Sequence, residues 1–297
     1  MFSFLKKNAE ANGITKKDKK NVSSKKEMSD EELRTLAFNE KAERTMLGEK
    51  TDFNVSEAYK SARTNIMFSL KDVKGCKSII VTSANQSEGK STSCINLAIS
   101  FAQMGSKVIL VDADMRKPKV HKYFKLTSKE GLSNVLGGFS ELKRVITHNN
   151  VYNMDIVPAG HIPPNPAELL GSNEMDEVLK ELSESYDYIF IDTPPVNIVT
   201  DGLLLAKKVT GAVLVVRHNV TGRDELERCI KSLNFAGARV AGFLLNAFED
   251  ALYIGGYSKR KYGYRYGRKY KYGYKYGYKY GYKYGYRYGK GYNDYKD

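Results

Sequence analysis

Gly89, Lys90, Ser91 and Thr92 stand in succession, and three aspartates, Asp112, Asp114 and Asp192, follow at the ends of apolar runs. A lysine between glycine and a hydroxyl residue suits a polyphosphate. The ammonium reaches the β/γ-phosphates, the hydroxyl sits on Mg²⁺, and backbone N–H groups cradle the chain of phosphates. Carboxylates beside such a site hold the metal or orient and deprotonate an attacking group. The expected roles are therefore ATP binding by Asn85, Gln86, Ser87, Glu88, Gly89, Lys90, Ser91 and Thr92, and Mg²⁺ binding by Ser91, Asp112 and Asp192. Lys90, Asp112, Asp114 and Asp192 are the candidate catalytic set, and spacing alone leaves open which aspartate accepts a proton.

The elements that must position these groups are legible around them. Residues 79–81 are an apolar run, the polar loop follows, and Gly89-Lys90-Ser91-Thr92 opens a helical pattern through Ala98. Strand, phosphate loop, helix is the order the motif requires. The motif's first glycine is Ala84 here, which holds the turn only with negative φ. Residues 108–111 are four apolar residues in a row, the habit of a strand buried on both faces, and Asp112 and Asp114 close it. Residues 188–191 repeat the pattern and end at Asp192, with Pro194 and Pro195 stopping the strand. Ligands of open α/β sheets bind at the carboxyl ends of strands, where all three aspartates fall. Further βα units are expected at 212–216 (strand), 223–234 (helix) and 240–245 (strand). The last ends at Asn246, which either meets a nucleotide base or is a plain turn asparagine. Between the aspartate strands, the proline-rich stretch 158–170 predicts an extended loop entering a helix at Pro166, with His161 a loop residue. The predicted fold class is α/β: a doubly wound, mostly parallel sheet of P-loop NTPase type with disordered N- and C-terminal extensions.

Charge separates the chain into three expected parts: a mobile charged extension (1–50), a P-loop domain (51–256) and a disordered tail (257–297). The tail carries 13 Lys/Arg against 2 Asp, whereas residues 51–256 carry 23 of each. The folded part is thus no basic nucleic-acid binder, and no nucleic-acid partner is expected. Cys76, Cys94 and Cys229 have neither disulfide nor metal spacing and read as core residues in a reducing compartment. No run of 18 apolar residues occurs, so a membrane role is expected to come through a partner. One short helix is expected at 30–36 within the extension. A longer one is expected from Ser56, as N-cap, with Ala58, Ala62, Ile66 and Leu70 on its apolar side. Glu57, Lys60 and Arg63 recur every three residues on that helix. They make either an exposed salt-bridged face or a subunit contact, and physical chemistry alone favours the first.

The tail holds 16 of the chain's 22 tyrosines, with Tyr-Lys-Tyr-Gly repeating from Tyr270 to Tyr288. It could stack on single-stranded nucleic acid, drive self-association, or present substrates to a kinase. A phosphate site on the same chain favours the third. The candidate acceptors are Tyr270, Tyr272, Tyr274, Tyr276, Tyr278, Tyr280, Tyr282, Tyr284, Tyr286, Tyr288, Tyr292 and Tyr295. Each phosphotyrosine adds about −1.5 to −2, so about six or seven cancel the tail's charge.

The motif set from residue 56 to the C-terminus resembles the bacterial tyrosine kinases of capsular and exopolysaccharide assembly. It comprises 84–91 (Walker A), 108–116 (Walker A′), 189–195 (Walker B), the proline loop and the tyrosine cluster. The resemblance implies autophosphorylation of tail tyrosines in trans and regulation of capsular or exopolysaccharide synthesis and export. Implied partners are a membrane adaptor of the chain-length-regulator type, a cognate tyrosine phosphatase and a ring-like homo-oligomer. The family's oligomer contact maps onto Glu57, Lys60 and Arg63, with lysine where the family has its first arginine. A cytoplasmic location at the inner face of the membrane is implied with the adaptor. The chain is also similar to septum-positioning and partition ATPases, which carry a lysine where this chain has Asn85; a switch ATPase is the alternative, beside a tail-driven binding module.

Overall fold

A computed structural model describes residues 42–247 together with Phe38 and Glu40. The helix expected at 30–36 and all the candidate acceptor tyrosines lie outside the described residues. In chain order the elements are α1 (Phe53–Ser69), β1 (Lys77–Ser83), α2 (Lys90–Ala102), β2 (Val108–Asp112) and α3 (Val120–Tyr123). Then come α4 (Leu132–Leu136), α5 (Leu142–Val145), β3 (Thr147–Asn149), β4 (Met154–Val157), α6 (Pro166–Gly171) and α7 (Asn173–Ser185). The series closes with β5 (Tyr188–Asp192), α8 (Asp201–Ala206), β6 (Gly211–Arg217), α9 (Arg223–Phe235) and β7 (Val240–Asn246).

The seven strands form one sheet in the order β3-β4-β2-β5-β1-β6-β7. Every pairing is parallel except β3 with β4. Side-chain alternation along the central strands sorts the core into two faces. Ile80, Ile109, Val111, Ile189 and Ile191 pack with α4 and α6–α9 on one side. Ile79, Val81, Val108, Leu110, Tyr188 and Phe190 pack with α1 and α2 on the other. This is the doubly wound arrangement, with β2, β5 and β1 buried at its centre. Their apolar runs show no polar face for that reason.

Helix α1 begins three residues earlier than its predicted cap: the Asp52 carboxylate, not Ser56, accepts from the Asn54 N–H. Its inward side is Tyr59, Ala62, Ile66 and Leu70, while Ala58 faces solvent. The packed domain also reaches back before residue 51, into the segment read as mobile extension. Ala42, Met46 and Leu47 are buried, and Leu47 and Met46 join the α1/α2 face of the core. Asn96 on α2 fixes them, accepting from the Leu47 N–H at 2.9 Å and donating to the Thr45 carbonyl at 2.8 Å. Burying a side chain of this size contributes about 1.5–3 kcal/mol, which accounts for the added segment's place in the fold. No helix among the described residues is long and apolar enough to cross a membrane.

Candidate active site

The phosphate loop runs from Ser83 at the end of β1 to Lys90 at the start of α2. Ala84 is buried and is not among the positive-φ residues, so alanine holds the loop's entry without strain. The close of the loop is different. Gly89 sits at φ 94°, and a Cβ there would lie 2.0 Å from Asn246 Nδ2. Only glycine fits the conformation and the space.

Asn246 is at that distance because its side chain braces the loop, donating to the Glu88 carbonyl at 2.8 Å. Glu88 is fully buried. Its carboxylate accepts from the Asn85 N–H at 3.0 Å and from the Thr221 hydroxyl at 2.6 Å. Arg217 adds a bond to the Ser87 carbonyl at 2.8 Å. The loop is therefore held in shape from β6, β7 and the turn between β6 and α9. Of the eight residues read as nucleotide-binding, Glu88 turns its side chain inward as a strut, and Thr92 pairs its hydroxyl with Tyr123 at 2.8 Å. Gln86 meets Lys117 Nζ at 3.4 Å.

Parallel register brings the carboxylates to this loop. Asp112 and Asp192 are direct partners across β2 and β5, and Val81 of β1 is level with Asp192. Lys90 Nζ lies 2.8 Å from Asp114 Oδ2, 3.6 Å from Asp192 Oδ1 and 3.3 Å from the Ser91 hydroxyl. Burial pulls the Lys90 pKa down, but the charges of Asp192 and Asp114 outweigh it and hold the ammonium well above its ordinary range. The two strand-end acids move the other way for a carboxylate. Burial, reinforced by Asp192, raises Asp112 well above the usual range. Burial also raises Asp192, against the pull of Lys90.

The three aspartates differ in what their oxygens do. Asp112 is saturated by backbone: the Asp114 N–H donates to Oδ1 at 3.2 Å, and the Lys119 and Val120 N–H groups donate to Oδ2 at 3.2 and 3.0 Å. Asp114 accepts from the Lys117 N–H at 3.1 Å and from Lys90. Asp192 is fully buried, and neither of its oxygens has a hydrogen-bond partner. A buried carboxylate whose partner is only the Lys90 ammonium at 3.6 Å has oxygen lone pairs left for a further ligand. Next to Ser91 and a phosphate loop, those lone pairs suit a hard divalent cation. Mg²⁺ is commonly held by one or two carboxylates plus substrate phosphates, so the absence of a larger acidic cluster among the described residues does not conflict with it.

One functional neighbour escaped sequence reasoning. Arg116 forms a bidentate pair with Asp201, Nε to Oδ2 at 2.8 Å and Nη2 to Oδ1 at 3.0 Å, and Asp201 is fully buried at the start of α8. It fixes the loop that follows Asp114. Nothing in the spacing of residues 116 and 201 announces it. The Glu57, Lys60 and Arg63 series lies apart from this site on α1. Lys60 pairs with Glu57 at 2.8 Å on the surface, whereas Arg63 turns inward and donates to the Ser100 carbonyl at 2.5 Å.

Known proteins place this constellation. The model of the AAA domain matches residues 76–235. Tyrosine-protein kinase YwqD of Bacillus subtilis is 40% identical over 64% of this chain and 80% of its own length. The chain belongs to the bacterial tyrosine-kinase family. Its activity is that of a protein-tyrosine kinase. The kinase domain of Escherichia coli tyrosine kinase ETK superposes with a TM-score of 0.64 at 31% identity, covering 70% of this chain and 80% of that one. The septum site-determining protein MinD from Pyrococcus horikoshii, complexed with Mg-ADP, has a TM-score of 0.50 at 25% identity, covering 57% and 70%.

Proposed function

We propose that this kinase transfers the γ-phosphoryl of ATP to tyrosines of its own C-terminal tail, in trans between copies. The observation that carries the reading is the buried Asp192 carboxylate, without a hydrogen bond and 3.6 Å from Lys90, beside Ser91, on a chain with 16 tyrosines in residues 257–297. The loop amides and the α2 N-terminus bind the phosphates. Lys90 then exchanges Asp114 for the phosphate oxygens and stabilises charge on the transferring group. Ser91 and Asp192 would hold Mg²⁺, which would supply further neutralisation of that charge. Asp112 keeps the loop 112–120 folded through its three amide contacts. Asp114, released by Lys90, is the carboxylate with a lone pair to spare for the tyrosyl proton. Positioning and charge stabilisation carry the rate, so no covalent enzyme intermediate is needed.

The same reading includes regulation of capsular or exopolysaccharide synthesis through a membrane adaptor, reversal by a tyrosine phosphatase, and oligomer formation through α1. Support for the last is the exposed side of that helix, where Phe53, Met67 and Phe68 flank the Glu57–Lys60 pair. An inward Arg63 makes the contact depend on its neighbours rather than on a three-residue charge series. The test is labelling by γ-phosphate-labelled ATP in the full chain and in a chain lacking 257–297. Equal nucleotide binding with label confined to the full chain supports tail acceptance; equal label in both overturns it.

A further inference from the structure

A cleft of about 510 Å³ opens beside the candidate active site, between the loop that follows Asp114 and the turn at 160–162. Arg116, Lys117, Lys119, His121, Lys122 and His161 line it, and no carboxylate does. General basicity does not explain this concentration, because residues 51–256 balance 23 basic against 23 acidic side chains. Arg116 is answered by Asp201. Among the described residues Lys117 Nζ meets only the neutral amide of Gln86, and no carboxylate pairs with Lys119 or Lys122. His121 adds an Nδ1 that is buried without a partner. Unpaired cations gathered in a polar concavity concentrate anions.

Both walls are fixed in place. The Ser133 hydroxyl donates to the His161 carbonyl at 2.6 Å, and a Cβ at Gly131 would lie 2.1 Å from the Pro158 carbonyl oxygen, so the proline-loop wall is clamped to α4. The other wall hangs on the candidate catalytic acids through the Lys117 amide to Asp114 and the Lys119 and Val120 amides to Asp112. An anion seated here pulls on backbone that positions both aspartates.

Charge selects the ligand. Residues 270–280 of the tail contain three lysines and no acid, so a bare tail segment is repelled by this cleft. Three phosphotyrosines change such a segment from +3 to about −2 and supply dianionic oxygens that lysine can hold. We propose that this cleft is a phosphotyrosine-binding site for tail segments already modified, keeping product beside the centre that made it. The proposal rests on the reading that the tail is the acceptor, but its binding step needs no turnover.

The test uses the full chain, phosphatase-treated and without ATP. A fluorescent peptide of residues 270–280 phosphorylated at Tyr272, Tyr276 and Tyr280 is titrated by anisotropy against its unmodified counterpart. At least tenfold tighter binding of the phosphopeptide is expected, with at least a tenfold loss in the Lys119→Glu/Lys122→Glu chain. Lys122→Gln alone should weaken binding about threefold, which serves if the double variant fails to fold. Lys207→Glu, an exposed reversal elsewhere, should leave it within twofold. Inorganic phosphate at about 10 mM should leave most of the peptide bound. Equal binding of the two peptides, undiminished binding to the cleft variants, a Lys207→Glu loss as large as theirs, or full displacement by phosphate would each overturn the proposal. Failure of tail acceptance would show separately, as an absence of ATP-dependent label on the tail.

Discussion

Replacing Lys90 with methionine keeps an unbranched side chain, one atom shorter, and removes the only cation within 4 Å of Asp114 and Asp192 among the described residues. The Lys90 side chain is 10% exposed and that of Asp192 is 0%, so solvent does little to replace the lost charge. Breaking a buried pair by deleting one partner costs about 3–5 kcal/mol. For a domain of this size each kcal/mol is about 2–4 °C, so the apo variant should melt roughly 6–20 °C lower near pH 8. The gap should depend on pH. A buried acid with a raised folded pKa, as Asp112 and Asp192 have, opposes folding above its unfolded value. That opposition fades as pH falls through the folded value. Lys90 lowers Asp192 in the wild type, so its loss raises that acid further and widens the window upward from the ordinary carboxylate range. The lysine itself, with its pKa raised, keeps its stabilising charge below its unfolded pKa and loses it only at strongly alkaline pH. Each pH unit between 8 and 5.5 over which the variant takes up one proton more than the wild type narrows the gap by about 1.4 kcal/mol. Thermal melts of both chains in EDTA, without nucleotide, measure this directly. A gap that stays constant across that range would refute the electrostatic account of the site.

Other substitutions separate parts of the same account. Asp192→Asn should abolish the Mg²⁺ dependence of nucleotide binding and, because Lys90 keeps its closer partner Asp114 at 2.8 Å, should lower the apo melting temperature by less than Lys90→Met does; an equal drop in the two variants would contradict Asp114 as the main partner of the lysine. Gly89→Ala forces left-handed alanine, about 1–2 kcal/mol, and displaces Asn246. Calorimetry should show nucleotide affinity reduced at least tenfold, with Asn246→Gly in the same chain restoring part of it. Glu88→Ala removes acceptors from Asn85 and Thr221 and should cost about 2–3 kcal/mol by urea denaturation, with weaker nucleotide binding. A loss under 0.5 kcal/mol would show that the loop does not depend on this strut.

Much of the site was legible because its determinants are local. Gly89-Lys90-Ser91 lies within one turn, and the apolar runs before Asp112 and Asp192 declare buried parallel strands that carry their acids to one edge. What local pattern cannot carry is the bracing. Asn246 to Glu88, Thr221 to Glu88 and Arg116 to Asp201 join residues 85–158 apart in sequence, and each pairs ordinary polar residues. The inward turn of the Glu88 side chain was hidden for the same reason: position in a motif does not show which way a side chain turns. The start of α1 was misplaced because Asp52 and Ser56 are both good caps one helical turn apart. Strands β3 and β4, three and four residues long, fall below the length at which periodicity is readable. Residues 42–50 were read by composition, which conceals that Ala42, Met46 and Leu47 share one buried side.

The central claim is that this site phosphorylates this chain's tail. Mass-spectrometric mapping of phosphotyrosine on the wild type and on Lys90→Met, each isolated from the native host, tests it most directly. Phosphate on several tyrosines between Tyr270 and Tyr295 in the wild type, and on none in the variant, is the predicted result. Phosphate that persists on the tail of Lys90→Met when no wild-type copy is present would contradict it, because another enzyme would then be modifying the tail.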